Sequence, residues 1–133
     1  MDEMDATAVS VIVVRTIWAV DAMRDTGQRD AYLRARPYLT QPCLARLQTE
    51  PVAGIPTLWR DHRAYAQVRL TRQAPELGAG PDSPVLAHRQ FHVTVTPTGR
   101  DGWKGIPIRA ITFTTLTRPT SAAPWRIATI ATA

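Results

Sequence analysis

Three side chains in this 133-residue chain, Asp21, His62 and His92, are of the types that transfer protons in enzyme active sites. Acid–base catalysis needs such a group held in a pocket that adjusts its pKa to the reaction. Nothing in the spacing of the three brings them together, and Asp21 lies at helical spacing from arginines such as Arg24, with which it can pair on a surface. We therefore predict no catalytic set and keep these three residues for an enzymatic alternative.

Neither a metal site nor a cofactor is predicted. His88 and His92 are four residues apart in a segment with strand character, which separates them by about 13 Å, whereas both ligands of a shared zinc lie about 2 Å from it. The single cysteine, Cys43, excludes an internal disulfide and a cysteine zinc cluster, and is expected to pack as a small apolar residue. No glycine-rich phosphate loop or serine nucleophile elbow is present.

The charge is basic and uneven. The net charge is +5, and of the 16 basic residues only Lys104 is lysine. Residues 62–133 contain nine basic residues and three acids, so a basic sheet facing nucleic acid is an alternative, which predicts affinity that falls steeply with salt. However, the arginines are scattered singly and aromatic residues make up 7% of the chain, too few for a base-stacking platform. We predict no direct binding of nucleic acid.

The first third of the chain has helical periodicity, and helices are predicted over about 5–48. A long first helix is expected from Asp5 or Thr7 to about Arg24, with an apolar stripe on one face. A second helix at about 28–35 must stop before Pro37, and a third is expected over about 41–48 with Thr40 as its cap. No run of eighteen apolar residues occurs, and the acidic start differs from a signal peptide.

The rest of the chain alternates like antiparallel strands, which are predicted at about 62–72, 85–96, 103–117 and 125–132. A loop is expected at 73–84 and a hairpin turn at 97–102. Arg100 in this turn, and Trp103 and Lys104 at the start of the next strand, are the candidate interaction residues and are expected to be exposed. The inward positions are expected to be apolar: Ala66, Val68, Phe91, Val93, Ile111 and Phe113. The pattern predicts one α+β domain over 1–133, with a long helix and two shorter helices packed on a curved four-stranded antiparallel sheet.

This order of elements resembles the nuclear-transport-factor-2-like (cystatin-like) fold, in which a curved sheet wraps a long first helix into a cone. Locally, WAVDAM at 18–23 and RDAYLRARPYLT at 29–40 resemble actinobacterial members of that fold. These members are the conjugation proteins similar to the VirB-eight (TcpC-like) components of type IV secretion systems, and Mce-associated membrane proteins.

The resemblance implies a non-enzymatic assembly domain that binds itself and other subunits of a transfer complex. It also implies a position on the extracytoplasmic side of the cell membrane, behind an N-terminal membrane anchor that would precede Met1. The same fold houses small-molecule enzymes similar to ketosteroid isomerase and the SnoaL-like cyclases, which is the alternative function. Such an enzyme needs a His or Asp inside the cone, whereas the positions expected inside are apolar.

Overall fold

A computed structural model describes residues 1–74 and 80–133, in which helices precede an antiparallel sheet. The helices are α1 (Ala6–Trp18), α2 (Gln28–Arg34), α3 (Gln41–Thr49) and α4 (Thr57–Asp61), with a 3₁₀ turn at Arg36–Tyr38. The strands are β1 (Tyr65–Gln73), β2 (Leu86–Thr98), β3 (Ile108–Thr117) and β4 (Arg126–Thr132). They form one sheet in the order β1-β2-β3-β4, with every neighbouring pair antiparallel. The predicted α+β class and four-stranded antiparallel sheet are confirmed. Part of the loop expected at 73–84, residues 75–79, lies outside the described residues.

Two polar side chains fix where helices begin. The Asp5 carboxylate accepts hydrogen bonds from the backbone N–H groups of Thr7 and Ala8, which have no partner within α1. The Thr40 hydroxyl does the same for the N–H of Cys43 at the start of α3. The sequence predicts Thr40 as one cap and either Asp5 or Thr7 as the other, and the structure selects Asp5.

The first helix is shorter than predicted: α1 has 13 residues and ends at Trp18 rather than near Arg24. Beyond Trp18 the backbone joins the edge of the sheet, where the carbonyl of Val20 accepts a hydrogen bond of 2.8 Å from the N–H of Ala66. Asp21 forms an isolated antiparallel bridge with Tyr65. The chain therefore exchanges helical hydrogen bonds for pairing with β1, which no local pattern in 19–24 specifies.

Both edges of the sheet are partly covered by the chain itself. Val20 covers part of β1, and on the opposite edge the N–H of Thr40 donates to the carbonyl of Ile127 in β4 at 2.9 Å. Covered edges are protected from pairing with other chains. Association through strand addition is thus disfavoured at these positions, and the loops are the better candidates for contacts with other molecules.

The core lies between α1 and the sheet. Val9, Val13, Val14 and Ile17 of α1 are almost fully buried. They contact two groups of apolar side chains from the sheet, one around Phe91 and the other around Leu116 and the start of β4. This burial follows the predicted apolar stripe of the first helix, and α1 contacts all four strands.

The prediction that Ile111 and Phe113 point inward is wrong. In the register of β2 with β3, Phe91 pairs with Thr112, so Thr112 and Thr114 share the helix-facing side with Phe91. Both threonines are buried, whereas Ile111 and Phe113 lie half-buried on the outer face. The buried hydroxyls are satisfied by α1 and its end: Ser10 Oγ lies 3.0 Å from Thr114 Oγ1, and Trp18 Nε1–H donates to Thr112 Oγ1 at 3.1 Å.

One helix and two strand boundaries also differ from prediction. Residues 57–61, for which neither helix nor strand is predicted, form α4, and β1 begins at Tyr65 rather than near 62. The predicted third strand begins at Ile108 rather than near 103, because the chain before Pro107 folds back on the hairpin, with only Lys104 bridging to Thr98. Pro107 lacks the N–H that would continue the ladder. In the described parts of the chain, no helix is long and apolar enough to cross a membrane.

Candidate functional site

Four of the six residues singled out from the sequence come together at one corner of the sheet. Asp21 follows α1, His62 ends α4, and Arg100 and Trp103 lie in the loop between β2 and β3. With Asp101 they form what we call the loop cluster. Residues from three separate stretches of sequence meet here because the β2–β3 loop folds over the start of β1.

Arg100 and Asp21 form a bidentate ion pair. Arg100 Nη1 lies 2.9 Å from Asp21 Oδ1, and Nη2 lies 2.7 Å from Oδ2. Nη1 also donates to the carbonyl of Arg63 at 2.7 Å, and the guanidinium lies over the ring of Tyr65. The hydrogen bonds from Arg100 lower the pKa of Asp21, even though partial burial opposes the shift. A carboxylate held ionised in this way is a poor proton acceptor at neutral pH.

His62 is held from two sides. Its Nδ1 lies 2.7 Å from Asp101 Oδ2, and its ring stacks on the Trp103 indole with centroids 4.5 Å apart and planes 4° apart. The same Asp101 carboxylate accepts the backbone N–H of Trp103 at 3.0 Å. The hydrogen bond from His62 lowers the pKa of Asp101. Trp103 is half-buried by this stacking, although it was expected to be exposed.

Gly99 allows the loop to close this tightly. A Cβ at Gly99 would lie 2.5 Å from Asp101 Oδ1 and 2.9 Å from Trp103 Cβ, so a side chain there would displace the loop. The N–H of Gly99 donates to the carbonyl of Trp103 at 2.6 Å, and the N–H of Arg100 donates to the carbonyl of His62 at 3.1 Å. Side-chain and backbone hydrogen bonds together hold the β2–β3 loop against the start of β1. The loop cluster therefore has a structural role.

The remaining two candidates, His92 and Lys104, do not take part in the contacts of the loop cluster. His92 is exposed on the outer face of β2, six residues or about 20 Å of strand before Thr98, so it does not join Asp21 and His62. Lys104 is exposed and has no ion pair among the described residues. Within the same residues, no group of three or more His, Cys, Asp or Glu could hold a metal ion.

A small apolar pocket opens beside the loop cluster, at the end of the sheet where β2 finishes and β3 begins. It has a volume of about 160 Å³. Its lining includes Trp18, Ile55, Pro56, Trp59, Val95 and Ile108. The lining contains no acidic residue or histidine among the described residues. An apolar cavity of about 150 Å³ can take up benzene, so this apolar pocket has room for one apolar side chain or a small apolar molecule.

Exposed apolar side chains stand near this pocket. Ile106 is 87% exposed and lies two residues before Ile108, which lines the pocket and is itself 47% exposed. Leu58, next to the lining residue Trp59, is also exposed. Sequence reasoning missed this surface, because Ile106 and Ile108 fall within the strand predicted at about 103–117. The available signal was Gly105 and Pro107, which flank Ile106 and favour an irregular, protruding segment.

Comparison with protein-family models, curated proteins and solved structures finds no match to this chain.

Proposed function

We propose that this chain is a non-enzymatic assembly domain of a conjugative type IV secretion complex, which acts by contacting a second copy and other subunits. The sequence resemblance at 18–23 and 29–40 and the helices-then-sheet order support this proposal. In it, α1 and the sheet correspond to the helix and the wrapping sheet of the nuclear-transport-factor-2-like cone. The domain would sit on the extracytoplasmic side of the membrane behind an N-terminal anchor.

The observation that carries the proposal is the protruding Ile106 beside the apolar pocket. Ile106, whose side chain is 87% exposed, lies two residues along the chain from Ile108, which lines an apolar pocket of side-chain size. In a two-fold symmetric dimer the same patch meets itself, so Ile106 of each copy can fill the pocket of the other. Burying apolar side chains in this way is the usual source of energy at the centre of an interface.

The loop cluster gives this surface the stiffness that an interface needs. The Arg100–Asp21 ion pair and the His62–Trp103 stack fix the β2–β3 loop, from which Lys104 and Ile106 project. A loop ordered before binding loses less entropy when it binds. In this proposal Arg100 and Trp103 position the interface, while Lys104 and Ile106 contact the partner.

The chemistry of the acidic and imidazole groups supports assembly over an isomerase or dehydratase. Asp21 is occupied by Arg100, His62 is stacked under Trp103, and His92 lies on the opposite face of the sheet from α1. None of the three lines the apolar pocket, so a substrate there would meet no acidic, basic or imidazole side chain among the described lining residues.

The test is the oligomeric state of the purified chain and of Ile106→Asp, measured by sedimentation velocity over a range of concentrations. We expect concentration-dependent dimers for the unaltered chain. Ile106→Asp should weaken them at least tenfold, since a buried charge without a partner is strongly unfavourable. Val85→Asp is the matched control, because Val85 is 42% exposed but lies about 33 Å along β2 from Val95.

Two results would overturn the proposal. One is a chain that stays monomeric at high concentration and captures no subunit of a conjugative transfer complex in a binding assay. The other is equal weakening of the dimer by Ile106→Asp and Val85→Asp, which would show that the pocket surface is not the interface.

A further inference from the structure

The outer face of the sheet, opposite α1, carries a broad depression that the proposed assembly function does not use. This outer groove has a volume of about 500 Å³ and is lined by Gln67, Val68, Arg69, Thr94, Thr96 and Arg109. The volume lies within the range of about 300–1,000 Å³ that is usual for small-molecule sites. Unlike most such sites, the groove is mainly polar.

Strand register places one arginine on each side of a threonine. Thr94 of β2 pairs with Arg69 of β1 on one side and with Arg109 of β3 on the other. Neighbouring strands are about 4.8 Å apart, so the two arginines start about 10 Å apart, and both line the groove together with Thr94. A guanidinium presents a planar set of N–H donors that matches an oxyanion, and two of them flank this groove.

The other groups in the groove are also suited to donate. Gln67 and Thr96 form the next cross-strand pair on the same face. The side-chain carbonyl of Gln67 accepts a hydrogen bond from Thr98 Oγ1 at 3.2 Å, which leaves its amide N–H groups available. The groove therefore offers amide and hydroxyl donors beside the two guanidinium groups.

The positive charge of the groove is uncompensated within the described residues. None of the four strands contains an acidic residue. Other strand arginines pair with acids from outside the sheet: Arg89 with Asp82 and Arg126 with Glu3. Arg69 and Arg109 have no such pair in the described part of the chain. Two like charges side by side repel, and a bound anion would remove that repulsion.

We propose that the outer groove binds the oxyanion of a small polar molecule, either a phosphate ester or a carboxylate, between Arg69 and Arg109. Two guanidinium groups can meet one or two phosphates, whereas a duplex-binding protein commonly neutralises six to ten. The lining also lacks an aromatic ring on which a base could stack. A small anion therefore fits the groove better than a nucleic acid.

Titration of the full chain with inorganic pyrophosphate and, separately, with citrate tests the proposal and distinguishes the two anion sources. Binding is followed by calorimetry and by backbone amide shifts in two-dimensional NMR spectra. We expect saturable binding of at least one probe, with shifts confined to residues around Thr94. Arg69→Gln and Arg109→Gln should each weaken it about tenfold to a hundredfold, the effect of removing one hydrogen bond to a charged group.

Arg72→Gln is the matched control, since Arg72 is an exposed arginine on the same strand but points to the other face. It should leave the affinity unchanged. Thermal unfolding of each variant checks that the exposed substitutions preserve the fold.

Three outcomes would overturn the proposal. The first is the absence of saturable binding by either probe. The second is equal weakening by Arg72→Gln, which would indicate a general charge effect. The third is binding of a short DNA duplex that competes away both anions and depends equally on all three arginines.

Discussion

Replacing Arg34 by methionine should destabilise the fold strongly, because it breaks a buried ion pair. Arg34 Nη1 and Nη2 lie 2.5 Å and 3.0 Å from the two carboxylate oxygens of Asp25, whose side chain is 1% exposed. Asp25 also accepts the N–H of Asp21 at 3.0 Å. The pair thus holds in place the residue that anchors Arg100 of the loop cluster.

The magnitude follows from what Arg34→Met leaves behind. Removing one partner of a buried pair costs about 3–5 kcal/mol. The lower end applies, because the Arg34 side chain is 29% exposed and Asp25 keeps the Asp21 N–H and Arg24 at 3.6 Å. We therefore expect a loss of about 3 kcal/mol. With an unfolding entropy of about 0.28 kcal/mol per kelvin for a chain of this length, the melting temperature should fall by about 11 °C.

Urea denaturation and calorimetry of Arg34→Met and Arg24→Met provide the measurement and its control. Arg24 contacts the same carboxylate, but its side chain is 56% exposed, so its loss should cost less than about 1 kcal/mol. In an Asp25→Asn background, the effect of Arg34→Met should shrink markedly, since no buried charge is left unpaired. Equal effects of the two arginine substitutions, or an undiminished effect in the Asn background, would refute this reasoning.

Two further predictions concern the loop cluster and the core. Because Arg100 lowers the pKa of Asp21 below its ordinary value of 3.8, their pairing stabilises the fold above that pH and is lost as the pH falls towards the lowered pKa. The gap in urea midpoint between the unaltered chain and Arg100→Met should thus be constant near neutral pH and narrow below about pH 4; a gap that widens in acid would contradict the assignment. Ser10→Ala should lower the free energy of unfolding, measured in urea, by about 1–3 kcal/mol, because it leaves the buried Thr114 hydroxyl without a hydrogen-bond partner. Adding Thr114→Val should recover most of that loss. If the double variant is no more stable than Ser10→Ala, the hydrogen bond is not the cause.

Part of the candidate site was visible in the sequence, but its arrangement was not. The turn residues at 97–102 predicted the part of the loop that carries Arg100, whereas the pattern placed Trp103 in the following strand. Chemistry alone marked Asp21 and His62. The pairing of Asp21 with Arg100 and of His62 with Asp101 depends on contacts between residues that are 79 and 39 positions apart, respectively. Such pairings have no local signal, because many arginines and acids in the chain could have paired instead.

The sequence by itself determined the class of the fold: helical periodicity before residue 50, strand alternation from about residue 62, and helix caps at Thr40 and at Asp5 or Thr7. These are local preferences, set by backbone sterics and by the donors at a helix start. Only the tertiary structure decided where α1 ends and which side of β3 is buried. Apolar alternation favoured Ile111 and Phe113, but α1 brings Ser10 and Trp18 to the sheet as hydrogen-bond partners. Those partners remove the penalty for burying Thr112 and Thr114. The pairing of β2 with β3 then places both threonines on the same side of the sheet as Phe91, facing α1.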